Sequence, residues 1–256
     1  MPTPFTHLEI AQRLLRDEDI PEVYLRLLNA ERPAFLLGNI AADARVGNGA
    51  PRETTHFYLY GQDIQGRVWR KMVAENPRLL TPNSPAHRAF IAGYVAHLTV
   101  DETWSIRMVM PHFVEREWAD RMQRFYMLHM ILIAMDERDL PRIESWQPDT
   151  LNAATPENWL DFIPDDDLQA WKSLIYEQIK PDGIVKTLDI FGARVAKPPE
   201  ELRALLDSDE AMQANLWDHI SKPTLNAVEQ ACYNEAHDQL MVYLRETEPA
   251  NHQGKG

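Results

Sequence analysis

Hydrophobic positions along the chain recur at spacings of three and four residues and do not alternate with polar ones. That period is typical of amphipathic α-helices, whereas half-buried strands alternate every second residue. The chain has only 10 glycines in 256 residues, and it contains no convincing hairpin pattern. The pattern therefore predicts an all-α fold.

Caps, prolines and apolar stripes divide the chain into predicted helices. In the N-terminal half they are expected at 5–16, from 21 to a break at Pro33 with a short continuation to Asp43, at 62–75, at 84–110 and at 111–136. In the C-terminal half they are expected at 156–163, 166–180, 183–195, 199–207, 209–220 and 224–246. Residues 44–55 and 140–156 contain glycines or prolines and are predicted to be loops.

The charge balance narrows the possible partners. The formal net charge is −13 and the sequence pI is about 5.1, a field that repels nucleic acid duplexes and anionic bilayers. The first residues lack a basic region followed by an apolar run, and the longest apolar run, 127–135, is too short to span a membrane. We therefore expect a cytoplasmic protein that acts on a small molecule, with no membrane span. The oligomeric state stays open.

One stretch, residues 93–101, combines a glycine, a histidine and a carboxylate at four-residue steps. Helical residues four apart lie one above the other, so His97 and Asp101 are able to bind one ion. A glycine inside a helix costs about 1 kcal/mol relative to alanine, so we expect Gly93 to make room for a close neighbour. The single cysteine, Cys232, excludes a thiolate-rich zinc site, which leaves histidine and carboxylate as ligands.

Three more residues at the ends of predicted elements complete the candidate ligand set, namely His7, Asp43 and His56. A mixture of imidazole and carboxylate suits Zn²⁺ first, with iron or manganese as alternatives. Four ligands fill a tetrahedral shell, whereas five ligands with Asp101 as a bridge hold two ions. The sequence leaves one ion or two as alternatives.

These motifs resemble those of the zinc-dependent phospholipase C and P1 nuclease superfamily. The matching segments are Gly38-Asn-Ile-Ala-Ala-Asp43, Thr55-His56-Phe57 and Gly93-Tyr-Val-Ala-His97-Leu-Thr-Val-Asp101, together with His7. The resemblance covers about residues 5–105 and implies a multi-helix bundle in which His7, Asp43, His56, His97 and Asp101 are metal ligands. The ending Leu-Thr-Val-Asp-x-x-Trp is more similar to cytosolic bacterial members of unknown substrate.

The chain also departs from that family. Ala42 stands where the family usually has proline, and the chain begins with Met-Pro where the best-known members have a processed tryptophan that joins the metal cluster. Those members hold another zinc with a further histidine and a His-x-x-x-Glu pair, but here Ile133 follows His129 by four residues. His129 is therefore only a secondary candidate ligand, and Trp104 is a secondary candidate for lining the pocket.

The resemblance implies a metal-dependent hydrolase, with a phosphate ester as the preferred substrate and a metal-activated water as the attacking group. Asp43 is a candidate general base as well as a ligand. The alternative is a non-catalytic helical binding or assembly module with a structural or lost metal site. A dinuclear iron oxidase ranks last, because it needs Glu-x-x-His pairs on two helices and the chain lacks two such pairs.

The domain organisation follows from the proline-rich stretch at 140–156, the one plausible internal boundary. We expect a single all-α domain over 1–247, with a metal-ligand half at 1–140 and accessory helices at 155–247. With 45% of its residues apolar, the chain is able to bury a full core. The polar tail at 248–256 is predicted to be disordered.

Overall fold

The fold is all-α, as the helical period predicts. The computed structural model describes residues 1–59 and 61–249, and no strand occurs in those ranges. The helices are α1 (Pro4–Leu14), α2 (Glu22–Ala30), α3 (Arg32–Ala41), α4 (Glu53–His56), α5 (Val68–Glu75), α6 (Pro85–Trp104), α7 (Arg121–Asp139), α8 (Gln147–Asn152), α9 (Asp165–Ile179), α10 (Thr187–Val195), α11 (Pro199–Leu206), α12 (Asp209–Met212) and α13 (Lys222–Glu246). The predicted disordered tail lies outside the described residues apart from its first two positions.

Helix α6 runs through the middle of the fold, and every residue from Ala89 to Trp104 is buried. It begins as the sequence predicts, because the Ser84 hydroxyl accepts the backbone N–H of His87 and Pro85 occupies the first turn, both favourable at a helix start. Helices α3 and α13 pack along its length. Any polar side chain on α6 must therefore find its partners inside the protein.

Two glycines let α3 and α6 approach each other until their backbones touch. A Cβ on Gly93 would lie 2.4 Å from the carbonyl oxygen of Phe35, and a Cβ on Gly38 would lie 2.0 Å from the carbonyl oxygen of Phe90. Only glycine fits at such distances. The expectation that Gly93 makes room for a neighbour is confirmed, and the neighbour is the backbone of α3.

The prediction that Pro111 starts a long helix is wrong. After α6 the chain continues in π-helical winding through Ser105–Val114, which takes in Pro111 without ending the helix. Helix α7 begins only at Arg121, where the Asp120 carboxylate accepts the N–H of Gln123 and so caps the first turn.

Two other predicted helices also differ from the structure. The segment predicted at 62–75 is helical only over Val68–Glu75. The buried Glu102 carboxylate accepts the N–H of Val68 at 2.8 Å, and a carboxylate in that position favours a helix start. Residues 156–163 form no helix, because Asn158 adopts a left-handed backbone with φ of 53°, which a right-handed helix does not allow.

The remaining differences concern loops and element ends. Residues 44–55 and 140–156, predicted as loops, include α4 and α8 as well as the 3₁₀ segment Leu140–Arg142. Helix α10 starts at Thr187, four residues later than predicted. The predicted 209–220 helix divides into α12 and a π-helical segment at Gln213–Trp217.

Asp136 joins three parts of the fold from its place on α7. Its carboxylate accepts the hydroxyl of Thr3, the residue preceding α1, and the hydroxyl of Thr187 at the start of α10, the latter at 2.6 Å. Burial raises the pKa of Asp136 from 3.8 to about 7, although both hydroxyl donors act in the opposite direction. The carboxyl is therefore partly protonated at neutral pH.

None of the helices in the described ranges combines the length and hydrophobicity that a membrane crossing requires.

Replacing Gly93 with alanine should lower the free energy of unfolding by about 2 kcal/mol, because the added methyl group meets a backbone carbonyl that cannot move alone. Urea denaturation measures the change. Gly47→Ala is the matched control, since Gly47 has a helical φ of −68° and a Cβ added there would lie 3.6 Å from its nearest neighbour, the carbonyl oxygen of Ala44. Equal stability of the two variants would contradict the close crossing of α3 and α6.

Replacing Asp136 with asparagine should stabilise the protein more at pH 8 than at pH 4. The unfolded carboxyl ionises near pH 3.8 and the folded one near pH 7, so wild-type stability from this group is lost as pH rises between these values. Between pH 4 and pH 8 the free energy of unfolding of the variant should therefore rise relative to that of the wild type by about 4 kcal/mol at most. Urea denaturation of both proteins across this pH range measures it, and parallel curves would contradict the raised pKa.

Candidate metal centre

Five side chains that the sequence singles out meet around the middle of α6. His97 and Asp101 project from α6 itself, and His7 comes from the first turn of α1. Asp43 lies in the 3₁₀ segment Ala42–Val46 that follows α3, and His56 ends α4. All but Asp43, whose side chain is 16% exposed, are closed off from solvent.

The donor atoms of these residues lie within coordination range of shared positions. His56 Nε2 lies 3.4 Å from Asp43 Oδ1 and 3.3 Å from Asp101 Oδ2, and His97 Nε2 lies 3.6 Å from Asp101 Oδ2. His7 Nε2 lies 3.4 Å from the other oxygen of Asp101. Two groups have donor atoms that all lie within 4.8 Å of one another, one formed by His7, His97 and Asp101 and the other by Asp43, His56 and His97.

Hydrogen bonds behind the site set the tautomers of two imidazoles. His97 Nδ1 lies 2.7 Å from the carbonyl oxygen of Asn39. A carbonyl oxygen only accepts, so Nδ1 carries the proton. His56 Nδ1 lies 2.9 Å from the Thr55 hydroxyl, which itself donates to the carbonyl oxygen of Arg52. The Nε2 lone pairs of both rings are therefore directed at the cluster, as in histidines that bind metal ions.

The two lone pairs need a positive charge between them. His56 Nε2 and His97 Nε2 lie 3.5 Å apart, and both face the Asp101 carboxylate. Neither ring nitrogen of His7 has a hydrogen-bond partner within the described part of the chain, and Asp101 Oδ1 also lacks one. Buried polar atoms without partners are costly, and a divalent cation would satisfy the Nε2 atom of His7 and the Asp101 oxygen together. The donor set thus fits Zn²⁺.

Electrostatics keep the acidic side chains ionised and one imidazole neutral. Burial alone would raise the pKa values of Asp43 and Asp101. His56 and His97 nevertheless hold the pKa of Asp43 well below its usual range, and Arg52 together with the neighbouring imidazoles does the same for Asp101. Burial and the nearby His97 lower the pKa of His7 to about 4, against the attraction of Asp101. Burial is the largest single effect on the pKa of His97 and lowers it, but Asp101, Asp43 and the Asn39 carbonyl together outweigh burial and raise this pKa. Carboxylate and neutral imidazole are the forms that bind metal ions.

Arg52 belongs to the site, although the sequence did not indicate it. Its Nη2 donates to Asp101 Oδ2 at 2.5 Å and to the Tyr58 hydroxyl at 3.1 Å. It lies in the predicted loop before His56, where an arginine next to a proline carries no recognisable pattern. Two positioning residues were also missed. The contact of Asn39 with His97 depends on the packing of α3 against α6, whereas Thr55 contacts the adjacent His56 through a side-chain orientation that the sequence does not reveal.

A cavity of about 610 Å³ adjoins the cluster and gives it an entrance. Asp43 and Arg52 are among its lining residues, and other parts of the wall come from α7, α9 and α10 together with the first residues of the chain. This volume lies in the range of ligand-binding cavities, about 300–1,000 Å³. A small molecule in the cavity would thus reach Asp43.

The two secondary candidates lie apart from the cluster. His129 lines the cavity, and its Nδ1 donates to the carbonyl oxygen of Phe125 on the same helix. Burial lowers its pKa to about 4. Trp104 is fully buried and lines a separate cavity of about 80 Å³. Neither residue belongs to a group of potential metal donors within the described residues.

In comparisons with known proteins, the chain matches one protein family. A family model described as zinc dependent phospholipase C matches residues 6–178, about two thirds of the chain. The match includes all five residues of the cluster and extends past the range 5–105 in which the motifs lie. No curated protein and no solved structure matches the chain.

The geometry predicts that His97→Ala loses the bound ion whereas His129→Ala retains it. His97 is shared by both donor groups, and His129 belongs to neither. Elemental analysis of the purified proteins after dialysis measures the metal content. Zinc should also raise the midpoint of thermal unfolding of the wild type and of His129→Ala but not of His97→Ala, since only the native site binds it. A stoichiometric ion in His97→Ala would contradict this site.

Proposed function

The chain belongs to the zinc-dependent phospholipase C family, and we propose that it is a metal-dependent hydrolase of phosphate esters. The observation that supports this most is the convergence of three imidazoles and two carboxylates, one of which, Asp43, lines a cavity large enough for a substrate. A metal site that only stabilised the fold would have no need for such an entrance.

The cluster is the proposed binding site for one or two Zn²⁺ ions. His7, His56 and His97 would bind through Nε2, and Asp43 and Asp101 through their carboxylates. A bound divalent ion supplies a Lewis acid that lowers the pKa of water and offsets charge on a phosphoryl oxygen. Asn39 and Thr55 hold the rings of His97 and His56 in the orientation that binding needs.

Asp43 is the proposed contact between the cluster and the substrate. It lines the cavity, and its side chain is the most exposed of the five. Its low pKa makes it a weak base but keeps it ionised at neutral pH, which suits a ligand that also accepts a hydrogen bond from the attacking water. In this role Asp43 would orient the water toward the phosphorus atom.

Two arginines next to Asp43 would bind the phosphoryl group. Arg45 and Arg52 both line the cavity, and the Nε of each is buried without a hydrogen-bond partner in the described residues. Guanidinium groups match the geometry of phosphate oxygens and bind them through two parallel hydrogen bonds. Their charge would add to that of the metal as negative charge develops in the transition state.

Hydrolysis of bis(p-nitrophenyl) phosphate tests the proposal. We expect turnover by the zinc-loaded protein, loss of turnover on chelation and recovery when zinc is restored. Asp43→Asn should lower the rate by about 100-fold or more, because it removes an anionic ligand and an acceptor for the attacking water. Asp166→Asn is the matched control, since Asp166 is an exposed residue in the first turn of α9.

The outcomes separate the enzyme from a binding module. Stoichiometric zinc without turnover of phosphate diesters or monoesters would indicate a structural site. Full activity of Asp43→Asn or of His97→Ala would refute the catalytic assignment.

A further inference from the structure

The large cavity has a mixed lining. Aliphatic and aromatic side chains of α7, α9 and α10 form much of its wall. They include Leu128, Leu132, Leu174, Ile175, Ile190 and Phe191. An apolar wall of this extent favours an apolar ligand, because the free energy gained by removing such surface from water grows with its area.

Three polar side chains among these walls already have partners. The Asp136 carboxylate accepts two threonine hydroxyls, and the Trp171 indole donates to the carbonyl oxygen of Ile40. Gln178 donates to the carbonyl oxygen of Leu174 and accepts the N–H of Lys186. These three side chains therefore offer little to a polar ligand.

Two arginines of the lining have a buried atom without a partner. Within the described residues, the buried unpartnered side-chain atoms of the cavity wall are the Nε atoms of Arg45 and Arg52, beside Asp43. They require an acceptor, and phosphate oxygens are suitable. The cavity thus combines cationic groups near Asp43 with an extensive apolar lining.

Two further cations line the same cavity from α10 and the residue before it. Lys186 and Arg194 are exposed, and neither forms an ion pair with any residue in the described ranges. With Arg45 and Arg52, the cavity lining has four cationic side chains and two carboxylates, Asp43 and Asp136. The chain as a whole has a net charge of −13, so the lining is locally more positive than the rest of the protein. This local excess favours a head group with net negative charge.

We propose that the substrate is an anionic amphiphile, a phosphate ester of a single apolar chain whose head group carries no compensating ammonium. The phosphate lies against Arg45, Arg52 and the metal centre, and the chain occupies the cavity between α7, α9 and α10. The cavity holds about 610 Å³, which is enough for one ligand of drug size. This inference rests on the proposed hydrolase function.

Binding of alkylphosphonates to the zinc-loaded protein tests the inference, because their carbon–phosphorus bond resists hydrolysis. Isothermal titration with butyl-, hexyl-, octyl- and decylphosphonate, each below its critical micelle concentration, should show affinity rising about fourfold per added methylene until the cavity is full. Affinity that is independent of chain length would overturn the proposal. Because no turnover is needed, this result is separate from the phosphodiester assay.

Filling the cavity provides a matched pair of variants. Ile190→Trp adds bulk at a half-buried lining position and should abolish the dependence on chain length while binding of butylphosphonate persists. Ile106→Trp is the control, since Ile106 is 46% exposed and does not line the cavity. Unchanged chain-length dependence in Ile190→Trp, with circular dichroism confirming its fold, would refute this location for the chain.

The head-group assignment is tested with decylphosphonate and its choline monoester. The wild type should bind the anionic form about tenfold more tightly or better, and Arg194→Gln should reduce this preference. Arg245→Gln is the control, because Arg245 is exposed on α13 and likewise forms no ion pair within the described residues. Equal or tighter binding of the choline ester by the wild type would overturn the anionic head group.

Hydrolysis assays distinguish the two proposals. Chain-dependent binding without hydrolysis of alkyl phosphates would preserve the ligand class and reject the enzyme. Hydrolysis with the same kcat/KM for butyl and decyl phosphate would preserve the enzyme and reject the amphiphile.

Discussion

The backbone contact between α3 and α6 is the constraint on which the metal centre depends. Gly38 and Gly93 bring the helices so close that the carbonyl oxygen of Asn39 reaches the His97 ring. The same approach places the end of α3, and with it Asp43, beside the donor atoms of α6. A wider crossing would separate the ligands that α6 carries from those that follow α3, even if every helix were retained.

The buried cluster is itself a compromise between charges. One oxygen of Asp101 accepts a hydrogen bond from Arg52, and three imidazoles also lie close to its carboxylate. Without compensating positive charge, two carboxylates at this depth would be unfavourable, because desolvation opposes ionisation. Arg52 supplies part of that charge, and a divalent ion would supply the rest. The site thus favours cation binding, and burying its charged groups lowers the stability of the fold when no cation is bound.

Local patterns in the sequence were informative where the relevant contacts are local. The all-α class and the stacking of His97 over Asp101 follow from helical periodicity alone, and the family is confirmed by the match over 6–178. Assignment of the five residues as ligands stays a prediction.

Other features depend on tertiary contacts and were not predicted. The helix continues through Pro111 in π-helical winding, and the partner of Arg52, Asp101, lies 49 residues away in the chain. Spacing patterns do not record such contacts.

The cavity is lined by residues both inside and outside the matched segment. The family match ends at residue 178, and it contains the candidate metal centre together with α7 and nearly all of α9, whereas α10 follows it at Thr187–Val195. Most of the apolar wall is therefore encoded within the matched segment, and α10 adds Ile190 and Phe191. Relatives that share positions 6–178 would inherit the donor cluster and most of this wall, so variation in the one remaining helix would reshape the cavity without moving the donors.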